Sequence, residues 1–338
     1  MTASWQHYTL HFKFLARTSR MAMRVKDTYF VRLTDSATGR TGIGECALFR
    51  GLGSDDLPDY EEKLAHACAD PAVPSPYSSI RFGIECAMIA AGLAEMPSTP
   101  YSRGEEGIPI NGLIWMGDRA EMRRRIDEKL NAGFRVLKMK IGGIDFESET
   151  DLLRYIRSRY SPETLELRLD ANGSFAPEVA AERLGILSKF HIHSIEQPVK
   201  AGQTDIMARI CRETPIPVAL DEELIGMPDA ESAAGLLETI RPQYIILKPS
   251  LCGGLSGADL WADAAESRGI GWWATSALES NVGLHAIACW VASRGVTMPQ
   301  GLGTGLLYSN NIPSPLELRG DRLYFNPSGT WDYSGLGW

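Results

Sequence analysis

Apolar and polar residues alternate along this chain in two textures that meet near residue 105. In the first texture, Tyr8, Leu10, Phe12 and Phe14 repeat with period two, the spacing of a strand with one buried face. Strands are predicted around Thr9–Ala16 and Thr28–Thr34, followed by a Gly-rich turn at Gly42–Gly44. Helices are predicted near Tyr60–Ala69 and Ser79–Glu95; Pro97 and Pro100 punctuate the end of the second. The second texture begins at Ile108. Apolar runs centred near Ile110, Leu137, Leu167, Ser194, Val218, Ile246, Trp273 and Met298 recur at intervals of 24 to 30 residues. Between them lie helical stretches such as Asp118–Asn131, Glu147–Tyr160, Ala176–Phe190, Asp205–Glu213, Glu231–Ile240, Gly257–Ser267 and Asn281–Ser293. Such alternation predicts parallel βα units, and eight of them predict a closed (β/α) barrel. After Ile312 a short strand-like piece at Arg322–Phe325 is expected to return to the N-terminal unit. The predicted organisation is an α+β unit over residues 1–105, a barrel over 106–310 and a tail over 311–338.

Barrel enzymes carry their chemistry at the C-terminal ends of the strands. The second predicted strand ends in Lys138-Met139-Lys140, the third in Arg168-Leu169-Asp170-Ala171-Asn172, the fourth in Ile195-Glu196, the fifth in Leu220-Asp221 and the sixth in Leu247-Lys248. Side chains alternate across a strand. Lys138 and Lys140 therefore share a face, as do Arg168, Asp170 and Asn172. Leu169, Ile195, Leu220 and Leu247 point the other way, toward the helices. Asp170, Glu196 and Asp221 lie 26 and 25 residues apart. Gathered at one mouth they would repel one another unless a cation lay between them. Oxygen ligands suit a hard ion, Mg2+ first and Mn2+ second. Lys140 and Lys248 flank the acids, an arrangement suited to removing a proton α to a carboxylate. One acid at a strand end is ordinarily a helix cap; three on consecutive strands carry the reading. Gly142-Gly143 and Gly253-Gly254 read equally as loops approaching a ligand and as plain turns. His191 and His193 flank a strand start at the far end of the barrel and read as structural.

Composition narrows the classes further. There are 42 acids against 34 bases, a formal charge of -8, the reverse of a nucleic-acid binder. Hydrophobic residues at 44% and charged residues at 22% exclude a disordered chain. The charge-free stretch Gly295 to Leu316 is broken by Gly, Pro and Asn, so no membrane association is expected. None of the six cysteines forms a CxxC pair, which leaves buried thiols in a reducing compartment. The start, MTASWQHYTLHFKF, lacks the apolar core of a secretory signal, so a cytoplasmic location is expected. The expected partner is a small-molecule carboxylate. Two loops, Thr18–Met23 and Ala47–Leu52, could reach it; Arg20, Met21 and Phe49 are the candidates there.

These motifs resemble the enolase superfamily over nearly the whole chain. The Lys138-Met139-Lys140 motif, opposed by Lys248, is similar to that of the muconate-lactonising subgroup. The mandelate racemase subgroup has a His base on strand seven, where this chain has Trp272-Trp273-Ala274-Thr275-Ser276. Within the subgroup, Arg168-Leu169-Asp170-Ala171-Asn172 resembles the RxDxN pattern of the o-succinylbenzoate synthases. Ile110-Asn111-Gly112-Leu113, Lys248-Pro249-Ser250-Leu251-Cys252-Gly253-Gly254 and Ser276-Ala277-Leu278-Glu279-Ser280 are similar to that family too. Gly303-Thr304-Gly305 stands where dipeptide epimerases carry an acidic DxD for the ammonium group of their substrate.

The resemblance implies an α/β fold: a modified TIM (β/α) barrel with an α+β capping domain, enolase-like. It implies Mg2+ held by Asp170, Glu196 and Asp221. Lys140 matches the base, Lys248 the lysine of the opposite face, and Lys138 a neighbour that tunes the base through like charge. The matching segments also offer Asn172, Arg168, Ser250, Gly253, Ser276 and Glu279 as substrate contacts. The implied reaction is a syn-dehydration giving o-succinylbenzoate. Three readings stand beside it: racemisation of N-succinylamino acids by the same lysine pair, a Schiff-base aldolase using Lys140 or Lys248, and a metal-binding barrel without turnover.

Overall fold

The structure, a computed structural model, describes residues 1–17 and 21–338. Arg20, one of the expected cap-loop contacts, lies outside the described residues. Three strands, β1 (Thr2–Arg17), β2 (Ala22–Thr34) and β3 (Thr41–Cys46), form an antiparallel meander in that order. β1 runs well beyond the predicted Thr9–Ala16. Its first residues are only partly buried and are held by continuous pairing from Thr2↔Thr34 to His11↔Val25, so there is little apolar alternation to read. Two helices, α1 (Tyr60–Ala69) and α2 (Ser78–Ala90), cover the sheet. Tyr29, Val31 and Leu33 meet Leu64, Ile80 and Ile84 in its core. α2 lies directly on β3. A Cβ at Gly44 would fall 1.9 Å from the Gly83 carbonyl oxygen, and one at Gly83 would fall 2.2 Å from Cys46 Sγ. Only glycine permits that approach.

A short strand, β4 (Ile108–Pro109), leads into the barrel. The barrel runs as β5 (Gly112–Ile114), α3 (Arg119–Asn131), β6 (Val136–Lys140), α4 (Phe146–Arg157), β7 (Glu166–Asp170), α5 (Pro177–Leu187), β8 (Ser194–Glu196), α6 (Thr204–Glu213), β9 (Val218–Leu220), α7 (Ala230–Ile240), β10 (Tyr244–Leu247), α8 (Gly254–Glu266), β11 (Gly271–Ala274) and α9 (Asn281–Ser293). The strands β5 to β11 pair in parallel and in chain order. The ring closes through Gln300 and Gly301, which bridge in parallel to Ile110 and Thr275. The eighth predicted strand, centred near Met298, is thus reduced to two bridges placed just after Pro299. Proline has no N–H to donate, so pairing starts beyond it. Local signals start the helices. Asp118 and Glu121 form a capping box on α3, Asp145 caps α4, and Pro177 opens α5.

Leu167, Leu169, Ile195, Leu220 and Leu247 pack outward into the helix layer, as alternation requires. Inside the barrel, Ala219, Ile246 and Trp273 form a plug. His193 stacks on Tyr244 there, with ring centroids 5.0 Å apart, at the end away from the charged strand ends. After the barrel, β12 (Leu316–Arg319) and β13 (Arg322–Phe325) form a hairpin, and β13 pairs with β4. The last residues reach the cap, where Trp331, Tyr333 and Trp338 pack with Phe30 and Ile43. No helix among the described residues is long and apolar enough to cross a membrane. The six cysteines are free thiols.

Candidate active site

Strand register assembles the site. Lys140 pairs with Asp170, and Asp170 with Glu196, across β6, β7 and β8. Glu196 pairs with Ala219 of β9, so Asp221 follows two residues above. Lys248 follows β10, four strands from β6 in an eight-position ring, and therefore faces Lys140 across the mouth. Lys138, Lys140, Asp170 and Lys248 line one narrow pocket, with Asn172, Ser276, Phe49 and Trp115 also in its wall. A larger cavity of about 790 Å³ lies elsewhere, between α2, α9 and the C-terminal residues, lined by Arg32, His285 and Trp331 among others. It contains none of these charged groups, so the chemistry selects the narrower pocket.

The charges are buried and interlocked. Lys140 Nζ donates to Asp170 Oδ2 at 2.8 Å and to Asn172 Oδ1 at 2.8 Å. Lys138 Nζ lies 3.2 Å from Asp170 Oδ2 and 2.5 Å from Glu196 Oε2. Lys248 donates to Asp221. Burial by itself would raise the Asp170 carboxyl, but the Lys138 and Lys140 ammonium groups hold it well below the usual carboxylate range. Burial lowers a lysine, yet Asp170 and Glu196 hold Lys138 above its ordinary value, and Asp221 does the same for Lys248. Glu196 shows the opposite outcome. Burial, then the adjacent Asp170 charge, push it up to about 8. Neither of its oxygens accepts a hydrogen bond, so the Lys138 approach is a charge contact at poor hydrogen-bond angles.

That orphaned carboxylate tests the fit of a metal. Glu196 lies buried between two other acids, with both oxygens lacking a donor, and a divalent cation would satisfy it. The oxygen donor set suits Mg2+ or Mn2+. Among the described residues no three His, Cys, Asp or Glu side chains converge on a common metal position. Asp170 and Asp221 turn instead to ammonium groups.

The expected substrate contacts divide. Asn172 and Ser276 line the pocket, whereas Arg168, Ser250, Gly253 and Glu279 do not. Arg168 lies one alternation below Asp170, bonded to Glu166 and the Pro299 carbonyl and stacked 4.3 Å over Trp273. Gly253 takes φ 98° as the N-cap of α8. Ser250 and Ser276 both donate to Glu279, which is fully buried behind the wall. Phe49 lines the pocket and Met21 packs against its cluster. Leu113 and Trp115 were not anticipated, although alternation through the end of β5 puts both on one face. Leu251 and Leu278 come from loops, where no periodicity identifies them.

A cap over a barrel whose consecutive strand ends gather lysines and carboxylates defines an enolase-type protein. Residues 121–323 match the family described as Enolase C-terminal domain-like, and the chain belongs to it. It is 43% identical to the o-succinylbenzoate synthase of Desulfotalea psychrophila (strain LSv54 / DSM 12343), over 96% of this chain and 98% of that protein. The crystal structure of MenC from Desulfotalea psychrophila LSv54 superposes with a TM-score of 0.80 at 41% identity, covering 96% of this chain and 99% of that one. Muconate lactonizing enzyme from Pseudomonas fluorescens shares the fold with a TM-score of 0.84 at 20% identity, over 99% of this chain and 97% of that one.

Proposed function

We propose that this chain forms o-succinylbenzoate by syn-dehydration of 2-succinyl-6-hydroxy-2,4-cyclohexadiene-1-carboxylate, a step of menaquinone biosynthesis. The observation that carries the reading is the pair Lys140 and Lys248 facing one pocket whose other walls include Phe49, Leu113, Trp115 and Leu251. Amines suit the acidic carbon and apolar walls suit the ring. The full-length synthase relative supports the same reaction. Where epimerases need acids for an ammonium group, the pocket has Gly303 and Thr304.

Asp170, Glu196 and Asp221 would hold Mg2+ or Mn2+, which when bound supplies positive charge to the substrate carboxylate as its α proton leaves. Lys140 acts as the base and takes that proton from the ring carbon bearing the carboxylate. The released electron pair forms the new ring double bond while the C–O bond at the next carbon breaks. Lys140 returns its proton to the departing hydroxyl, and water leaves from the same face. Asn172 orients Lys140 through its amide oxygen. Lys248 remains a cation beside the π system and needs to move no proton.

A spectrophotometric dehydration assay tests the reading. Turnover is expected with Mg2+ and its loss on chelation. Lys140→Ala should lower kcat by about 10³-fold or more while the protein stays folded; surviving dehydration would overturn the role of Lys140. Lys248→Arg should keep more activity than Lys248→Ala. The placement of the two lysines across the mouth also favours a second reading, racemisation of N-succinylamino acids. Exchange of the α proton of such a substrate with solvent deuterium, without dehydration activity, would select it.

A further inference from the structure

The loop after β6 is anchored by a carboxylate that the reaction above does not use. Glu149, in the first turn of α4, is 1% exposed. Its Oε1 accepts from Gly142 N at 2.5 Å and from Gly143 N at 3.2 Å. Two successive N–H groups converging on one oxygen make a cradle for an anion, and here the chain supplies the anion itself. Burial raises the Glu149 carboxyl, and the N–H groups of Gly142, Ile144 and Gly143 oppose that shift.

The anchored loop is boxed in on both sides. Gly142 takes φ 87°, and a Cβ there would fall 2.0 Å from Ser174 Oγ, in the loop after β7. A Cβ at Gly143 would fall 2.5 Å from Met116 Sδ, in the loop after β5. The two glycines thus let three consecutive loops stack, and neither glycine lines the pocket. Their neighbours do: Trp115 precedes Met116, and Asn172 lies two residues before Ser174.

Lys140 is the last residue of β6. Beyond it the chain is held by Ile141 N, which donates to the Asp170 carbonyl at 2.8 Å, and then by the two bonds to Glu149. The Lys140 ammonium bonds Asp170 and Asn172 on one side and lies 5.9 Å from the Trp115 ring centroid on the other. Its partners therefore stand at the ends of the two neighbouring strands, and the Gly142–Gly143 loop lies between those ends.

We propose that Glu149 is a positioning residue for Lys140: through the paired N–H groups of Gly142 and Gly143 it fixes the chain just beyond the base, and so the angle at which the amine meets the substrate. The kinetic part of this inference rests on the dehydration proposed above; the labelling part does not.

The test compares Glu149→Met, which fills the space without an acceptor, with Glu149→Gln, whose amide oxygen can still accept from both N–H groups. At a temperature where all are folded, Glu149→Met should lower kcat about 10- to 100-fold, because misplacing a reacting group by about 1 Å has that order of effect. KM should stay within about threefold, because Lys140 acts in the transition state and not in ground-state binding. Glu149→Gln should keep kcat within about threefold of wild type. Reductive methylation of the folded full chain, read by mass spectrometry, follows the Lys140 amine independently of turnover. Lys140 should be labelled faster in Glu149→Met than in wild type or Glu149→Gln, with Lys138, one alternation lower on the strand, unchanged. A fall in melting temperature with kcat and Lys140 labelling both unchanged would make Glu149 a stabilising residue only and overturn the proposal. A loss carried by KM alone, or an equal loss of kcat in Glu149→Gln, would overturn it too. If wild-type protein shows no dehydration, the functional reading fails, and labelling alone decides the role of Glu149. If Glu149→Met does not fold, wild-type kcat and labelling in Glu149→Ala would overturn it.

Discussion

At the scale of single residues, the site depends on who holds each ammonium group. Asn172 takes φ 45°, accepts from Lys140 through Oδ1 and donates through Nδ2 to Glu222 Oε1 at 3.2 Å. Asparagine tolerates the left-handed region better than most side chains. Asn172→Gly keeps that backbone and removes the amide, so it separates orientation from strain. We expect kcat to fall about 10- to 100-fold, since misplacing a reacting group by about 1 Å has that order of effect. Melting temperature should stay near wild type; a matching loss of stability would mean that Asn172 is structural. This residue was legible in the sequence, because it shares a strand face with Asp170. The placement of Lys138, Lys140, Asp170, Glu196, Asp221 and Lys248 on or just after consecutive strands was legible as well. Arg168 and Glu279 were legible as polar residues near the mouth but not by depth. Alternation tells which face a side chain takes and says nothing of how far down the barrel it sits.

At the scale of elements, the barrel helices were legible chiefly from their starts: Asp118, Asp145, Asp229 and Ser280 cap α3, α4, α7 and α9, and Pro177 opens α5. The strands were harder at their margins. The first half of β1 has no fully buried residue, although Ala3 and Trp5 pack on the cap core, and the last barrel strand is two bridges after a proline. The most exacting junction is α2 on β3. The sequence offers only Gly42–Gly44 there, which reads as a turn, whereas Gly42 and Gly44 lie within β3 against α2. The Cβ of Gly44→Ala would fall 1.9 Å from backbone, which no rotamer can relieve. The helix must move, at about 1–3 kcal/mol or more. Thermal unfolding should show the loss as a fall in Tm of several degrees, with Gly39→Ala, which meets nothing within 4 Å but has φ 72°, falling by less. Equal losses would mean that α2 yields readily to the added methyl and that the contact is not exacting.

At the scale of the whole molecule, cap, barrel and tail meet at His285 of α9. Its ring lies 4.4 Å from Phe325 of β13, 5.6 Å from Trp331 and 6.2 Å from Tyr101, between ring centroids. Burial lowers His285 to about 4. Tyr101 and Cys289 beside it are pushed up and stay neutral, and Arg32 of β2 lines the same cavity. The unfolded chain therefore binds a proton at this position between about pH 6.5 and pH 4 that the folded chain refuses. Stability rises with pH wherever the unfolded state holds more protons. The contribution of His285 is thus complete above about pH 6.5 and is lost as pH falls toward 4. At 1.36 kcal/mol per unit the ceiling is about 3 kcal/mol, and the partial exposure of the ring to the cavity brings it to about 1–2 kcal/mol. His285→Gln removes the titration while keeping a polar side chain. Urea unfolding at pH 7 and pH 4.5 should show wild type losing more stability on acidification than the variant by that amount. Carboxylates titrate in both proteins, so the difference isolates the histidine; an identical pH dependence would mean that His285 is open to solvent protons and that the junction of tail and barrel is loose.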